Sequence, residues 1–405
     1  MTAQVADVSS LLRTCRKTCG TDLCPLLSSC EDCSDPGVPR QWAFTAMTYR
    51  SPGLASVVPY GDSMSKAMVL GGNGQVGSAA ARTLLASGWD VTCSGMAEAR
   101  FPADLREAGV RFIRSDRYDV PDLRNLLYEG ADVVVDCVAY TADHARMLLP
   151  FRGHIGSLVF ISSKAVYVDE QGRHSNSVEP PVFSGPVTEE QATMTPSDVD
   201  YNSRQGYGAN KVAAEHVVLN SGMAVSVLRP SRVYGVGAAR PREWVFVKRV
   251  LDGRAHVLLA RGGRGINHPT AAGNLAALVG FCALRPGTRV LNSADPDAPD
   301  GLAISRIIAA RLGHTWKEVL LDATAPEGMG DHPWNTLPPF VLDTSAARRF
   351  GFVPVGTYGD MVGPVVDWLA TAQRTGDPTC ILPAPDDSDF AYFFDYGRED
   401  AWLSG

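Results

Sequence analysis

Lys66-Ala67-Met68-Val69-Leu70-Gly71-Gly72-Asn73-Gly74-Gln75-Val76-Gly77 is the stretch on which the fold turns. Four apolar residues, Ala67 to Leu70, stop at a glycine cluster. The cluster opens into Ser78-Ala79-Ala80-Ala81-Arg82-Thr83-Leu84-Leu85, a good helix former with apolar residues at helical spacing. Strand, tight glycine turn and helix are the context that a phosphate-binding loop requires. Gly71, Gly74 and Gly77 follow the spacing G-x-x-G-x-x-G. Glycine permits the sharp turn and lets the backbone approach a diphosphate. That anion would meet the free amides at the start of the helix, around Gln75 and Val76, where the macrodipole also favours it.

Working outward, short apolar runs alternate with helical segments. Trp89–Cys93, Arg111–Arg114, Ala131–Val138, Ser157–Ile161 and Ala224–Leu228 read as further strands, and Pro121–Tyr128 and Gly208–Leu219 as helices between them. Buried β-branched strands alternating with helices imply an α/β fold: a doubly wound parallel sheet of Rossmann type, with the ligand at the carboxyl ends of the strands. Val168–Arg204 is a long stretch with four prolines and little periodicity, as expected of a lid or site wall. Past Tyr234 the pattern loosens. Helices are expected at Glu243–Asp252, Asn274–Ala283, Ala303–Leu312 and Met361–Ala370, with short strands between them. The expected organisation is an extension over 1–63, a dinucleotide-binding domain over 64–235, a smaller substrate-binding lobe over 236–375 and an acidic, aromatic tail over 376–405.

Composition narrows the functional classes. Of 405 residues, 45% are hydrophobic and 20% charged, as in ordinary globular proteins, and no apolar run reaches the roughly 18 residues of a membrane span. The net charge of -7 without a dense Lys/Arg block argues against nucleic acid as the main partner. Cys15, Cys19, Cys24, Cys30 and Cys33 crowd the extension at spacings that fit no standard zinc pattern. A disordered or non-native leader is expected there, with Met64 placed as a natural start codon would be, and a metal site is the alternative. The remaining cysteines are scattered, as in a reduced cytoplasmic protein.

The chemistry is carried by Tyr207-Gly208-Ala209-Asn210-Lys211. Tyrosine and lysine four apart share one helix face. An unperturbed phenol titrates near 10, so a neighbouring ammonium that lowered it by about three units would supply roughly 4 kcal/mol of differential stabilisation. Such a tyrosine can pass a proton to or from a carbonyl oxygen. The fifth strand runs into Ser162-Ser163-Lys164-Ala165-Val166-Tyr167, which puts a hydroxyl at the sheet's carboxyl edge.

In this order, the motifs resemble those of the extended short-chain dehydrogenase/reductases, the NAD-dependent epimerase/dehydratase family, over about residues 66 to 370. The resemblance implies a catalytic Ser163, Tyr207 and Lys211, with Lys211 also binding the nicotinamide ribose. It implies further cofactor contacts at Ser162, at Asp116-Arg117 after the third strand, at Val138-Ala139 after the fourth, and at Pro230 within Leu228-Arg229-Pro230-Ser231-Arg232-Val233-Tyr234-Gly235. The runs Ser115-Asp116-Arg117-Tyr118-Asp119 and Asp136–Thr141 are similar to those of an atypical branch that includes chloroplast stem-loop-binding proteins and bacterial reductases. The second strand ends in Cys93-Ser94-Gly95-Met96, without the carboxylate that NAD-specific relatives use. NADP is therefore expected slightly ahead of NAD, with Ser94 or Arg100 as partner of the 2′-phosphate. Ser163-Lys164-Ala165 stands where 4,6-dehydratases have Thr-Asp-Glu, leaving no carboxylate pair for eliminating water. Arg232 replaces the asparagine with which epimerases contact a diphosphate.

The expected activity is interconversion of a ketone and a secondary alcohol on a polar, sugar-like substrate. A nucleotide-sugar epimerase with internal redox cycling is the alternative, and a non-enzymatic cofactor-sensing or RNA-binding protein is another. A homodimer without metal or membrane partner completes the expectation. Lys164, Arg232, His268 and the Asp331–Asn335 loop are the candidates to face the substrate.

Overall fold

The computed structural model describes residues 64–376, 382–384 and 386–404; the cysteine-rich leader, Cys380 and the start of the tail lie outside the described residues. Six strands come first in the chain: β1 (Lys66–Leu70), β2 (Asp90–Gly95), β3 (Arg111–Arg114), β4 (Ala131–Asp136), β5 (Ile155–Ile161) and β6 (Val225–Pro230). β7 (Arg232–Tyr234), β8 (His256–Leu259), β9 (Pro269–Ala271), β10 (Arg289–Ser293) and β11 (Lys317–Leu320) follow. Seven of them form one parallel sheet in the order β10-β6-β5-β4-β1-β2-β3. The chain runs outward from β1 through β2 to β3, then starts again at β4 on the other side of β1. That reversal opens a crevice at the carboxyl ends of β1 and β4, where Leu70 is level with both Ser94 and Asp136.

Both faces of the sheet are covered. Val69, Val91 and Val135 point to one side, under the helices Gln75–Ala86 and Ala272–Ala283. Met68, Leu70 and Val134 point to the other, under Val120–Leu127 and Gly206–Leu219. This alternation is why the strand runs are apolar on both sides.

The segment after residue 235 does not wholly leave the sheet. β10 becomes its outer strand, and Ala272–Ala283 packs on Gln75–Ala86 closely enough that a Cβ on Gly280 would lie 3.1 Å from Thr83. The division expected at residue 235 is therefore not a clean cut. What remains forms a smaller layer with its own core of Trp244, Phe246, Trp334, Leu369, Phe390 and Phe393, and two short parallel pairs, β7 with β9 and β8 with β11. The stretch 168–204 forms no helix or named strand. It is tied down by isolated bridges, Tyr167 to Thr193 and Val187 to Leu342, and by the Val187 amide donating to Val341 O at 2.8 Å. Among the described residues, no helix is long and apolar enough to cross a membrane.

Candidate active site

The glycine loop is held from below by β2. The amides of Gly71 and Gly72 both donate to the Ser94 carbonyl, at 3.0 and 2.9 Å. Gly71 has φ +86, and a Cβ there would lie 2.7 Å from Val138. At Gly77 a Cβ would fall 2.2 Å from the Gly71 carbonyl oxygen, so only glycine lets the helix begin this close to the turn. The first helical bond runs from the Ser78 amide to Gly74 O (2.9 Å), and no side chain caps this helix. The amides of the first turn therefore remain for an anion, and the cradle fits a dinucleotide diphosphate.

Across the crevice, Tyr207 lies on the first turn of the helix Gly206–Leu219 and Ser163 follows the end of β5. Two tight approaches seat this helix. A Cβ on Gly206 would strike Asp200 O, and one on Gly208 would strike Ala165 O. Burial pushes the Tyr207 phenol above its usual range; the neighbouring Ser163 hydroxyl opposes this, and Tyr140 adds to the rise. Ser163 Oγ also accepts from the Ala165 amide at 3.1 Å.

Lys211 is buried and donates to Ala139 O at 2.7 Å and Ile161 O at 3.0 Å, with Nζ 4.8 Å from the centre of the Tyr140 ring. Burial pushes this ammonium down to about 8, against the pull of Asp136 and Glu215. Lys211 spends its ammonium on these two backbone carbonyls, and the Tyr207 phenol is raised by burial where a lowering by the lysine was expected.

Several expected cofactor contacts are turned elsewhere. Arg117 is 4% exposed and forms a two-pronged pair with Asp136 (2.6 and 3.2 Å), while also donating to His144 O. Its place is inside the protein, under the crevice floor. Asp136 uses its other oxygen to accept the Val138 and Ala139 amides, both at 3.0 Å, which fixes the turn that Gly71 packs against. Asp116 Oδ1 accepts from the Tyr118 amide at 2.8 Å, shaping its own turn. The Ser162 hydroxyl donates inward to Glu215, which also grips Arg229. Ser94 is 1% exposed within β2, leaving Arg100, exposed on the following turn, of the two expected partners of a 2′-phosphate. Pro230 is buried at the end of β6.

An aromatic row lines the same edge and was missed in the sequence. The Tyr118 ring stacks on His144 at 4.2 Å, Tyr201 meets His144 edge-on, and Tyr140 stacks on Tyr201 at 5.4 Å and reaches Tyr207 at 6.4 Å. Tyr140 stands in a run already singled out, but nothing in its spacing indicates the partners.

Lys164 is buried, bonded to Asn267 Oδ1 and seated 4.1 Å over the Phe340 ring. Burial, reinforced by Arg232 and Arg242, holds its amine well below the usual lysine range. His268 is likewise internal, with Nε2 against Asp295 O (2.9 Å) and Nδ1 accepting the Leu342 amide.

A family model described as NAD dependent epimerase/dehydratase family matches residues 67–266. The chain carries a domain of that family. No curated protein matches the sequence. Solved structures similar to this chain include a dTDP-glucose 4,6-dehydratase from Bacillus anthracis str. Ames in complex with NAD, with TM-score 0.60 at 17% identity, covering 78% of this chain and 100% of that one. A UDP-glucose 4-epimerase complex with NAD from Thermus thermophilus aligns with TM-score 0.56 at 21% identity, covering 76% of this chain and 99% of that one. At such identities the likeness shows the fold.

Proposed function

We propose that the chain is an NAD(P)-dependent oxidoreductase that interconverts a ketone and a secondary alcohol on a polar, sugar-like substrate. The observation that carries this reading is the Tyr207 phenol on the first turn of its helix, close enough to the Ser163 hydroxyl to be influenced by it, at the sheet edge that also bears the glycine cradle. Gly71, Gly74 and Gly77, with the amides of Gln75 and Val76, would hold the diphosphate, and Val138 and Ala139 would line the crevice beside it. The nicotinamide would supply the redox partner that exchanges hydride with the substrate carbon. Tyr207 Oη then holds the proton that the substrate oxygen gains or loses. Ser163 Oγ bonds the same oxygen and orients it. Lys211 ties the turn after β4 to the end of β5 and keeps positive charge beneath the site.

The sugar-like substrate is supported by the nucleotide-sugar enzymes among the similar structures. Ser163-Lys164-Ala165 provides no carboxylate for eliminating water, which favours simple redox chemistry over dehydration. NADP(H) is the favoured cofactor, because β2 ends without a carboxylate to repel a 2′-phosphate and Arg100 is exposed nearby.

Purified protein, denatured and analysed for released nucleotide by mass spectrometry, tests the reading. An empty protein that then binds NADPH more tightly than NADH is expected. Stoichiometric retained NAD+ would instead favour an epimerase that cycles its cofactor internally, and failure to bind any nicotinamide would overturn both readings.

A further inference from the structure

Lys211 is one of only six lysines in the chain, and its two hydrogen bonds end on carbonyls that are themselves fixed by buried acids. Ala139, which accepts one of them, gives its amide to Asp136 Oδ1. Ile161, which accepts the other, precedes Ser162, whose hydroxyl donates to Glu215. Each acid is in turn paired with an arginine. Arg117 holds Asp136 at 2.6 and 3.2 Å, and Arg229 holds Glu215 at 2.5 and 3.0 Å. The four side chains of these pairs are between 0% and 6% exposed.

Stability alone does not account for this arrangement. A buried ion pair loses in desolvation much of what it gains in attraction, and apolar residues of similar volume hold a fold as well. What the two pairs supply is fixed geometry and fixed charge. Glu215 stands one turn after Lys211 and two after Tyr207 on the helix Gly206–Leu219, so it continues their face. Its partners come from elsewhere: Ser162 from the end of β5, and Arg229 from β6, where the guanidinium also lies 5.0 Å from the centre of the Tyr167 ring. One carboxylate thereby joins this helix to two strands, beside Ser163. Around the Lys211 amine stand Asp136 and Cys137 from the end of β4, Glu215 from its own helix, Arg117 from the turn after β3, and the rings of Tyr140 and Phe160. His144, in the aromatic row, feels the lysine's charge from farther off. Both acids favour the ammonium, and Arg117 opposes it. Lys211 and the two arginines against the two acids leave one net positive charge in the cluster.

We propose that Glu215 is a positioning residue of the active site: gripping Ser162 and Arg229, it sets the helix of Tyr207 and Lys211 against the serine turn, and with Asp136 it fixes the carbonyls and the charge that hold the Lys211 ammonium. The two acids divide the work. Asp136 shapes the turn after β4, and Glu215 secures the end of β5. At 1% exposed, Glu215 acts through these neighbours and not on a substrate. The roles of Tyr207, Ser163 and Lys211 come from the redox reading above, on which this assignment rests; Glu215 is the group through which the three keep their places relative to one another.

An NMR titration of the full chain, labelled with carbon-13 at the lysine Cε, reads the Lys211 amine directly, and the signal missing from Lys211→Met assigns it. Wild type is expected to titrate at about 8. Glu215→Gln removes a charge that favours the ammonium and should move the midpoint down by at least about half a pH unit, whereas Arg117→Met removes one that opposes it and should move the midpoint up. Both variants break a buried pair and both should melt earlier, so a purely structural role would not send the midpoints in opposite directions. Glu215→Gln should also bind NADPH about three- to tenfold more weakly in a fluorescence titration, because Lys211 and Ser163 lose their fixed places. Midpoints that stay put or move the same way in both variants would overturn the assignment, as would undiminished NADPH affinity in Glu215→Gln. Opposed shifts in a protein whose wild type binds no nicotinamide would instead strike the redox reading while confirming the hold of the acids on Lys211. Should Glu215→Gln fail to fold, the double variant Glu215→Gln/Arg229→Met, which strands no guanidinium, should fold and show the same downward shift.

Discussion

At the scale of single residues, Tyr207 is the group on which the proposed chemistry rests. Its phenol is raised by burial, so in the free enzyme it holds its proton at neutral pH and is set to donate. Tyr207→Phe should lower turnover by about 10²- to 10⁴-fold while leaving nicotinamide binding intact, measured by steady-state kinetics beside a cofactor titration. Undiminished turnover would remove the assignment. Lys211 gives a prediction in stability. Its folded pKa of about 8 lies below the usual lysine value near 10.5, so the unfolded chain holds the proton more tightly. The cost of burying the charge is then full below pH 8 and is relieved as the pH rises from 8 towards 10.5. That relief amounts to about 3 kcal/mol, and it should be missing from Lys211→Met, so urea melts of the two proteins should diverge with rising pH across that window. A parallel pH dependence would contradict the burial cost. The residue scale is also where the sequence was least legible. Arg117 stands in a motif that the family resemblance assigns to the cofactor, yet the side chain is spent on Asp136 inside the fold. Spacing along a chain does not show whether an arginine faces the crevice or the core. The same blindness hid the aromatic row. Arg232 and the Asp331–Asn335 loop, both expected to face the substrate, do line one cavity, together with Arg240 and Arg242, which were not singled out.

At the scale of elements, the stretch Lys66–Gly77 was legible because each requirement leaves a residue-level mark: apolar strand, glycine turn, helix former. The geometry separates the duties of two of its glycines. A Cβ at Gly77 would meet the backbone of Gly71 and Gly72 at 2.2 to 2.9 Å, and backbone cannot move aside cheaply. A Cβ at Gly74 would meet only Gly71 O, at 3.4 Å, and φ −87 suits any residue. Gly77→Ala should therefore lower both stability and cofactor affinity. Gly74→Ala should fold as the wild type does and lose cofactor affinity alone, because its methyl group would stand where the diphosphate must approach. Thermal melts paired with NADPH titrations check this, and a Gly74→Ala protein that binds NADPH normally would move the diphosphate away from that amide. β10 shows the opposite case. It is short and intermediate in burial at its start, with nothing local to say that it pairs with β6, so its place in the sheet follows from long-range packing. Strand pairing between segments some sixty residues apart is a property that local periodicity does not encode.

At the scale of the whole molecule, the two layers share one chain path: the sheet receives β10 from the smaller layer, and the smaller layer receives the C-terminal segment. That last docking combines aromatic anchors with ion pairs, and its most buried pair makes it testable as a unit. Arg249 holds Glu399 with two bonds, at 2.5 and 2.8 Å, and also donates to Phe393 O at 2.6 Å; the two charged side chains are only 3% and 6% exposed. Removing one partner of a buried pair typically costs about 3–5 kcal/mol, because the other charge is stranded out of water. Arg249 can escape that cost if the segment lifts off and water reaches the guanidinium, so undocking sets the ceiling on the loss. Glu399→Ala should accordingly show faster hydrogen exchange through residues 386–404 and around Arg249, with protection in β1, β4 and β5 close to wild type. Should exchange instead rise evenly through the central sheet, the segment would be an integral part of the core rather than a separately docked wall. Should nothing change, the aromatic anchors Phe390 and Phe393 would hold the segment without the ion pair.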